Sequence, residues 1–307
     1  MDKKDKGKLM IGYLYDSDFS LHDTGEHLEN RHRTESIDKM VKEKYELIHI
    51  PTRVGDKEEL CAVHDISYID WIENGYENGI RNIISADTIV SSESYDVALK
   101  AATSTKNVIT AFKEGIIKKA FLNLRPPGHH AEVITGQGFC IFNNIAMMAR
   151  YAQDIGYRKV LIIDFDVHHG NGTQDIFYDD ESVFFISFHE RNNYPFTGSE
   201  DEKGGGFTKN IPYKDNIEDD EFLALFEQLP KDFDFDIVLV SAGYDLMSDE
   251  LISSANISYE GLSKMVEKIL EFTGDKPIAF LLEGGYNINS LVKSVDVTIE
   301  NMVNYSQ

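Results

Sequence analysis

Cysteine is nearly missing from this 307-residue chain: Cys61 and Cys140 are its only two. Two thiols are too few to staple a fold of this length or to build a thiolate metal site, so no disulfide is expected. Basic residues are also scarce, 30 Lys and Arg against 53 Asp and Glu, which leaves a net charge of −23. A surface of that sign repels a phosphate backbone and excludes nucleic acid as the main partner. No apolar run approaches the roughly 18 residues of a membrane span. The first residues, Met1 to Lys8, are charged and carry no signal-peptide stretch. These absences predict a cytoplasmic protein without a membrane partner. Low-complexity tracts, fixed-period repeats and linkers are missing too, so residues 1–307 are expected to form one domain.

What is present is apolar material for a large core, 42% of the residues. It recurs in short runs rich in β-branched and aromatic residues: Leu9 to Tyr15, Tyr45 to Ile50, Ala120 to Leu124, Val160 to Ile163, Val183 to Phe188, Ile237 to Val240 and Ile278 to Leu282. Such runs read as buried strands of a parallel sheet. Between them lie helical patterns. In Val97 to Lys113, Ala98, Ala102, Thr105, Ile109 and Phe112 share a face, and Gly115 follows as a stop. Asn144 to Asp154 and Glu260 to Phe272 repeat the scheme, each with a glycine soon after. Alternating strand and helix predicts a doubly wound α/β fold. The stretch Glu190 to Asn210, with Gly198 and Gly204-Gly205-Gly206, reads as a long loop.

In an open parallel sheet, ligands bind beyond the carboxyl ends of the strands. Five runs lead directly into reactive groups: Arg125-Pro126-Pro127-Gly128-His129-His130, then Asp164 to Gly172, then His189, then Ser241 to Asp245, then Glu283-Gly284-Gly285-Tyr286. Asp166 and His168, two apart at a strand end, are expected on the same side by alternation. With Asp245 they make an Asp, His, Asp set that suits zinc or ferrous iron and leaves a position open for water and substrate. In isolation an Asp-x-His is more often a helix cap beside a packed imidazole; the convergence of strand ends favours the metal.

Tandem imidazoles at His129 and His130 suit proton transfer from water to a leaving amine. Asp164 and Asn171 are the nearby groups able to fix their tautomers. Tyr286, after two glycines, places a phenol where an oxyanion would develop. Gly138-Phe139-Cys140 and Tyr194 lie near the same rim, where aromatic walls favour a slender aliphatic chain. Taken alone, a tyrosine after Gly-Gly is more often a packed aromatic, and Phe139 and Tyr194 read nearly as well as ordinary core.

Together, Arg125 to Ala131 (RPPGHHA), Gly138 to Asn144 (GFCIFNN), Asp164 to Gln174 (DFDVHHGNGTQ), Ser241 to Asp245 (SAGYD) and Leu282 to Asn287 (LEGGYN) closely resemble the histone deacetylase superfamily of metal-dependent acyl-amide hydrolases. Asn171 and Gln174 are similar to the class II branch and its bacterial relatives, which include acetylpolyamine amidohydrolases. The resemblance implies an arginase/deacetylase-type three-layer fold on a predominantly parallel eight-stranded sheet. It implies Asp166, His168 and Asp245 as zinc ligands, His129 with Asp164 and His130 with Asn171 as the tandem histidines and their partners, and Tyr286 as the oxyanion donor. It further implies a substrate tunnel at Gly138, Phe139, Tyr194, Ile252 and Gly284. Asp164, Asp166, His168, Ser187 and Phe188 match the positions that hold a structural potassium ion.

Three segments depart from the family pattern: His27 to Thr34, which lacks the usual prolines but keeps Arg33, the loop Leu246 to Asn256, and the loop Glu190 to Gly206. All three are expected at the substrate mouth. Ile252, seven residues after Asp245, falls where polyamine-selective relatives carry a glutamate. The resemblance thus implies an acyl-lysine protein or peptide as substrate. A small acylated amine, as in acetylpolyamine amidohydrolases, is the alternative, and an inactive acyl-lysine-binding module a distant one. The oligomeric state stays open.

Overall fold

The computed structural model describes residues 10–75, 85 and 87–305. The charged segment Met1 to Lys8, and Leu9 of the first apolar run, lie outside the described residues. Each apolar run becomes a strand: β1 (Ile11–Leu14), β2 (Ile48–His49), β3 (Lys119–Leu122), β4 (Val160–Asp164), β5 (Val183–Glu190), β7 (Ile237–Ala242) and β8 (Ile278–Leu282). Every residue of β4, β7 and β8 is buried, which is why those strands carry no polar alternation. The expected strand Tyr45 to Ile50 shrinks to the two residues of β2, at one edge of the sheet.

One expectation is corrected. The stretch Glu190 to Asn210 is not loop throughout, because β5 runs to Glu190 and a further strand, β6 (Thr208–Tyr213), begins at Thr208. Its sequence, TKNIPY, hides it. It is an edge strand, so it needs no continuous apolar run and tolerates Pro212, which has no N–H to donate.

The eight strands form one sheet in the order β2-β1-β3-β8-β7-β4-β5-β6, with every neighbouring pair parallel. Helices cover both faces: α1 (His32–Lys44), α2 (Ile66–Gly75), α3 (Ser94–Lys113), α4 (Asn144–Asp154), α5 (Asn171–Phe177), α6 (Asp219–Leu225), α7 (Tyr259–Thr273) and α8 (Ile288–Asn304). On α3 the expected face of Ala98, Ala102, Thr105, Ile109 and Phe112 is buried, and the helix packs on α4. Ser258 caps α7 by accepting the Gly261 N–H, and Gly274, at φ 62°, ends it. Among the described residues no helix is long and apolar enough to cross a membrane.

Strand register positions the site. Asp164, the last residue of β4, stands level with Ser187 on β5 and Ser241 on β7, while Ala242 stands level with Leu282 on β8. The segments that follow these strands therefore emerge side by side on one rim.

Candidate metal centre and active site

Asp166 and His168 lie beyond β4, which ends at Asp164, so strand alternation is not what aligns them. A bend aligns them instead: the Asp166 N–H donates to Asp164 Oδ1 at 3.1 Å, and the His168 N–H to Asp166 Oδ1 at 2.9 Å. Short acidic side chains that accept from the backbone two residues on fold such turns. Asp245 reaches the same point from the segment after β7 and accepts the Val167 N–H at 3.1 Å. One ligand atom from each of Asp166, His168 and Asp245 falls within 4.8 Å of the other two, and all three residues are buried.

These residues fit a metal. Asp245 Oδ2 is buried and accepts no hydrogen bond, although His168 Nδ1 lies 3.1 Å away. His168 Nδ1 is also 3.0 Å from Asp166 Oδ1. Burial penalises charge on His168, but the Asp245 and Asp166 carboxylates outweigh it and push the imidazole up to about 10. Two buried carboxylates thus draw a cation between them. Gly284 leaves the room: a Cβ there would collide with Asp245 Oδ2 and come within 2.7 Å of Asp166 Oδ2. Its N–H meanwhile donates to Asp166 Oδ2 at 2.9 Å.

The two tandem imidazoles lie 4.0 Å apart, each with its own partner. His129 Nδ1 is 3.0 Å from Asp164 Oδ2, and His130 Nδ1 is 2.7 Å from Asn171 Oδ1. Burial opposes charge on His129, yet Asp164, Asp166 and Glu283 prevail and push it up to about 10. On His130 burial prevails: together with His129 and His168 it holds that ring well below its ordinary value. The pair is thereby split into a cationic and a neutral imidazole. Glu283 supports the turn beneath them, accepting the Gly128 N–H at 2.7 Å and the His129 N–H at 3.1 Å. Burial raises its carboxyl to about 7.

His129, His130, His168 and Tyr286 line a cavity of about 240 Å³. Gly138, Phe139, Tyr194, Ile252 and Gly284, the five residues expected to form a tunnel, share that lining. Gly138, at φ 55°, must be glycine, since a Cβ would strike the His130 ring. Phe139 meets Tyr286 edge to face at 5.6 Å, and Tyr194 meets His130 likewise at 5.2 Å.

Arg33 lies under the Tyr286 ring, its Cζ 4.9 Å from the ring centre, and its guanidinium donates to the carbonyl oxygens of Gly285, at 2.7 Å, and Glu283, at 2.5 Å. Glu29 joins Arg33, at 3.3 Å, to Arg125, at 2.8 Å, and all three are fully buried. The residues matched to a potassium ion are partly adjacent: Asp164 and Ser187 are cross-strand neighbours, whereas the Phe188 ring stacks on Phe226 in the core.

Two acidic residues of this framework, Glu29 and Glu132, have no place among the expected site residues, and two others, Glu250 and Glu283, hold backbone N–H groups that the sequence does not announce. Glu250 accepts the N–H groups of Tyr286, at 2.8 Å, and Asn287, at 3.0 Å. Glu132 accepts from Asn171 Nδ2 at 2.6 Å and from Gln137 Nε2 at 2.9 Å. Burial raises Glu132, and the two amides act against that rise. The only sequence signal for Glu132 and Glu283 is their place beside the histidine pair and before Gly284-Gly285.

An eight-stranded all-parallel sheet with helices on both faces is the arginase-like α/β fold. The histone deacetylase domain matches residues 27–302, and the chain belongs to the histone deacetylase family. Histone deacetylase 15 of Arabidopsis thaliana is 35% identical over 263 residues, covering 82% of this chain and 47% of that protein. A probable deacetylase of Archaeoglobus fulgidus is 29% identical over 308 residues, covering 95% of this chain and 85% of the archaeal one. The crystal structure of the HDA15 HD domain superposes with a TM-score of 0.89 at 31% identity, covering 96% of this chain and 91% of that one. The chain spans less than half the length of several eukaryotic relatives, 47% of the Arabidopsis protein and 32% of histone deacetylase HDA1 of Candida albicans.

Proposed function

We propose that this protein hydrolyses acylated lysine side chains in proteins or peptides, releasing free lysine and a carboxylate. The observation that carries the reading is the buried Asp166, His168, Asp245 set at a cavity also lined by His129, His130 and Tyr286. Those three ligands would hold zinc, with ferrous iron the alternative. A metal bound there supplies a Lewis acid for the amide carbonyl and the attacking water. His130, neutral by burial, takes the proton of that water. His129, kept charged by its carboxylate neighbours, stabilises the negative charge that develops nearby. The Tyr286 hydroxyl donates to the carbonyl oxygen as it becomes an oxyanion. The proton taken by His130 passes to the departing amine, and the C–N bond breaks. Asp164, Asp166, His168, Ser187 and Phe188 would supply the oxygens of a potassium site beneath.

That relatives are named histone deacetylases supports lysine rather than polyamine as the substrate of this chain. So does the wall of the cavity. Ile252 offers no partner to a substrate ammonium, and the two acids nearest it in sequence are engaged elsewhere. Asp249 accepts from Ser290 Oγ at 2.5 Å and from the Tyr259 hydroxyl at 3.0 Å, while Glu250 holds the Tyr286 and Asn287 N–H groups. A cytoplasmic site of action suits a chain whose two cysteines, Cys61 and Cys140, are both free. The test is a panel of acetyl-lysine peptides, longer acyl-lysines, acetylspermidine and acetylputrescine ranked by kcat/KM. Acyl-lysine peptides are expected to lead; a tenfold or greater preference for acetylspermidine overturns the substrate reading, and inactivity of the metal-loaded protein on every member overturns the enzyme reading.

A further inference from the structure

One carboxylate oxygen orders two amides. Glu132 Oε1 receives Asn171 Nδ2 at 2.6 Å and Gln137 Nε2 at 2.9 Å. An ionised carboxylate has no proton to give, so each amide must turn its nitrogen toward Glu132 and its oxygen away. The two outward oxygens face different groups: Asn171 Oδ1 lies 2.7 Å from His130 Nδ1, and Gln137 Oε1 accepts from the Tyr194 hydroxyl at 3.4 Å. An amide oxygen beside an imidazole nitrogen requires a proton on that nitrogen. His130 therefore carries its proton on Nδ1, and in the neutral ring Nε2 keeps its lone pair.

We propose that Glu132 is a positioning residue that sets the tautomer of His130 through the orientation of the Asn171 amide, keeping Nε2 free to accept a proton. It touches neither the metal ligands nor His130 itself; it acts through an intermediary. Its backbone is fixed independently, because the Glu132 carbonyl accepts from His64 Nδ1 at 2.9 Å while His64 Nε2 accepts the Asn143 N–H at 2.9 Å. Substitution of the side chain leaves that anchor in place. The inference rests on the reading of His130 as the base, but its primary readout does not.

The decisive variant is E132K, which presents a donor where the acceptor stood. The Asn171 amide must then turn its oxygen to the lysine and its nitrogen to His130, which drives the imidazole proton to Nε2. Histidine 15N chemical shifts of the zinc-loaded protein distinguish the two tautomers, with the His130 signal assigned by its loss in H130A. The expected result is an Nδ1-protonated ring in the parent and an Nε2-protonated ring in E132K, with zinc content unchanged. The kcat should fall about a hundred-fold, the scale of a lost general base, with KM within about twofold. The second variant is E132K/N171D. A carboxylate at 171 can only accept, so the Nδ1 proton and most of the lost kcat should return. An E132K protein with the parent tautomer overturns the proposal, as does a kcat loss that N171D does not relieve. A parent that hydrolyses no acyl amine refutes the functional reading instead and leaves the tautomer comparison to decide this one.

Discussion

The carboxylate of Glu250 receives the backbone N–H of Tyr286 at 2.8 Å, so the loop after Asp245 holds the turn that carries the phenol. It holds the neighbouring Asn287 N–H as well, at the first turn of α8, where a negative charge also meets the positive end of the helix dipole. Removing one charged acceptor of this kind costs about 2 kcal/mol. E250A is expected to keep its metal, to lose that order of stability, and to lower kcat about tenfold. Y286F should lower kcat about a hundred-fold, also with the metal retained, as expected for one lost oxyanion donor. If Glu250 acts through Tyr286, the two losses are not additive, and E250A in the Y286F background should cost little further rate. Independent, multiplying losses would show that Glu250 acts elsewhere.

Each of D166A, H168A and D245A should abolish both metal binding and hydrolysis, since a three-ligand site has no spare ligand. Elemental analysis of the purified variants reads the first outcome directly. Stoichiometric zinc in H168A would remove His168 from the ligand set.

Selectivity should follow residue 252. Ile252 lines the cavity, and I252E places a carboxylate beside any substrate ammonium. The ratio of kcat/KM for acetylspermidine over an acetyl-lysine peptide is expected to rise about tenfold or more in that variant. An unchanged ratio would mean that the polyamine chain never passes this position.

Acid should destabilise the fold in a defined window. Burial holds His22 and His64 at about 4, against about 6.5 in an unfolded chain. Between those values the unfolded chain binds more protons than the folded one, so stability falls as the pH drops from about 6.5 to about 4. Each histidine contributes about 1.4 kcal/mol per pH unit within that range. His129 and His168, pushed up to about 10, contribute fully below about 6.5 and lose their contribution only as the pH rises toward 10, so they leave this window unchanged. The buried Glu283 and Asp164 carboxyls, raised to about 7 and about 6, pull the slope the other way, so urea unfolding at pH 7, 6 and 5 compares the parent with H22Q and H64Q; a slope identical in parent and variants would contradict burial of the two neutral rings.

The inner strands were legible because a strand buried on both faces has to be apolar along its length, as Val160–Asp164 is up to its last residue, whereas at the β2 edge only Ile48–His49 of the expected run pairs. Thr208–Tyr213 was hidden because an edge strand is free of that demand. At the rim, chemistry-bearing residues stood out where they directly follow an apolar run, as His129, Asp166, Asp245 and Tyr286 do. The backbone partners of the acids that steady them did not. Glu283 accepts from Gly128 across 155 positions of sequence, and Glu250 from Tyr286 across 36. No periodicity encodes such pairs, because a backbone N–H offers a side-chain acceptor the same donor whatever the residue. Asn171 was legible as a partner for a histidine, but the group that turns its amide lay in the one residue past Ala131 that the motif reading passed over.

Among the described residues the last strand, β8, sits between β3 and β7, pairing with both. It joins two sets of strands, β2-β1-β3 and β7-β4-β5-β6, whose inner edges would be open without it. The histidine pair follows a strand of one set and the Asp166, His168, Asp245 residues follow strands of the other. Only the closing strand draws them to one rim. The centre is assembled only with β8 in place, and without it the unpaired edges of β3 and β7 are the surfaces most open to wrong partners.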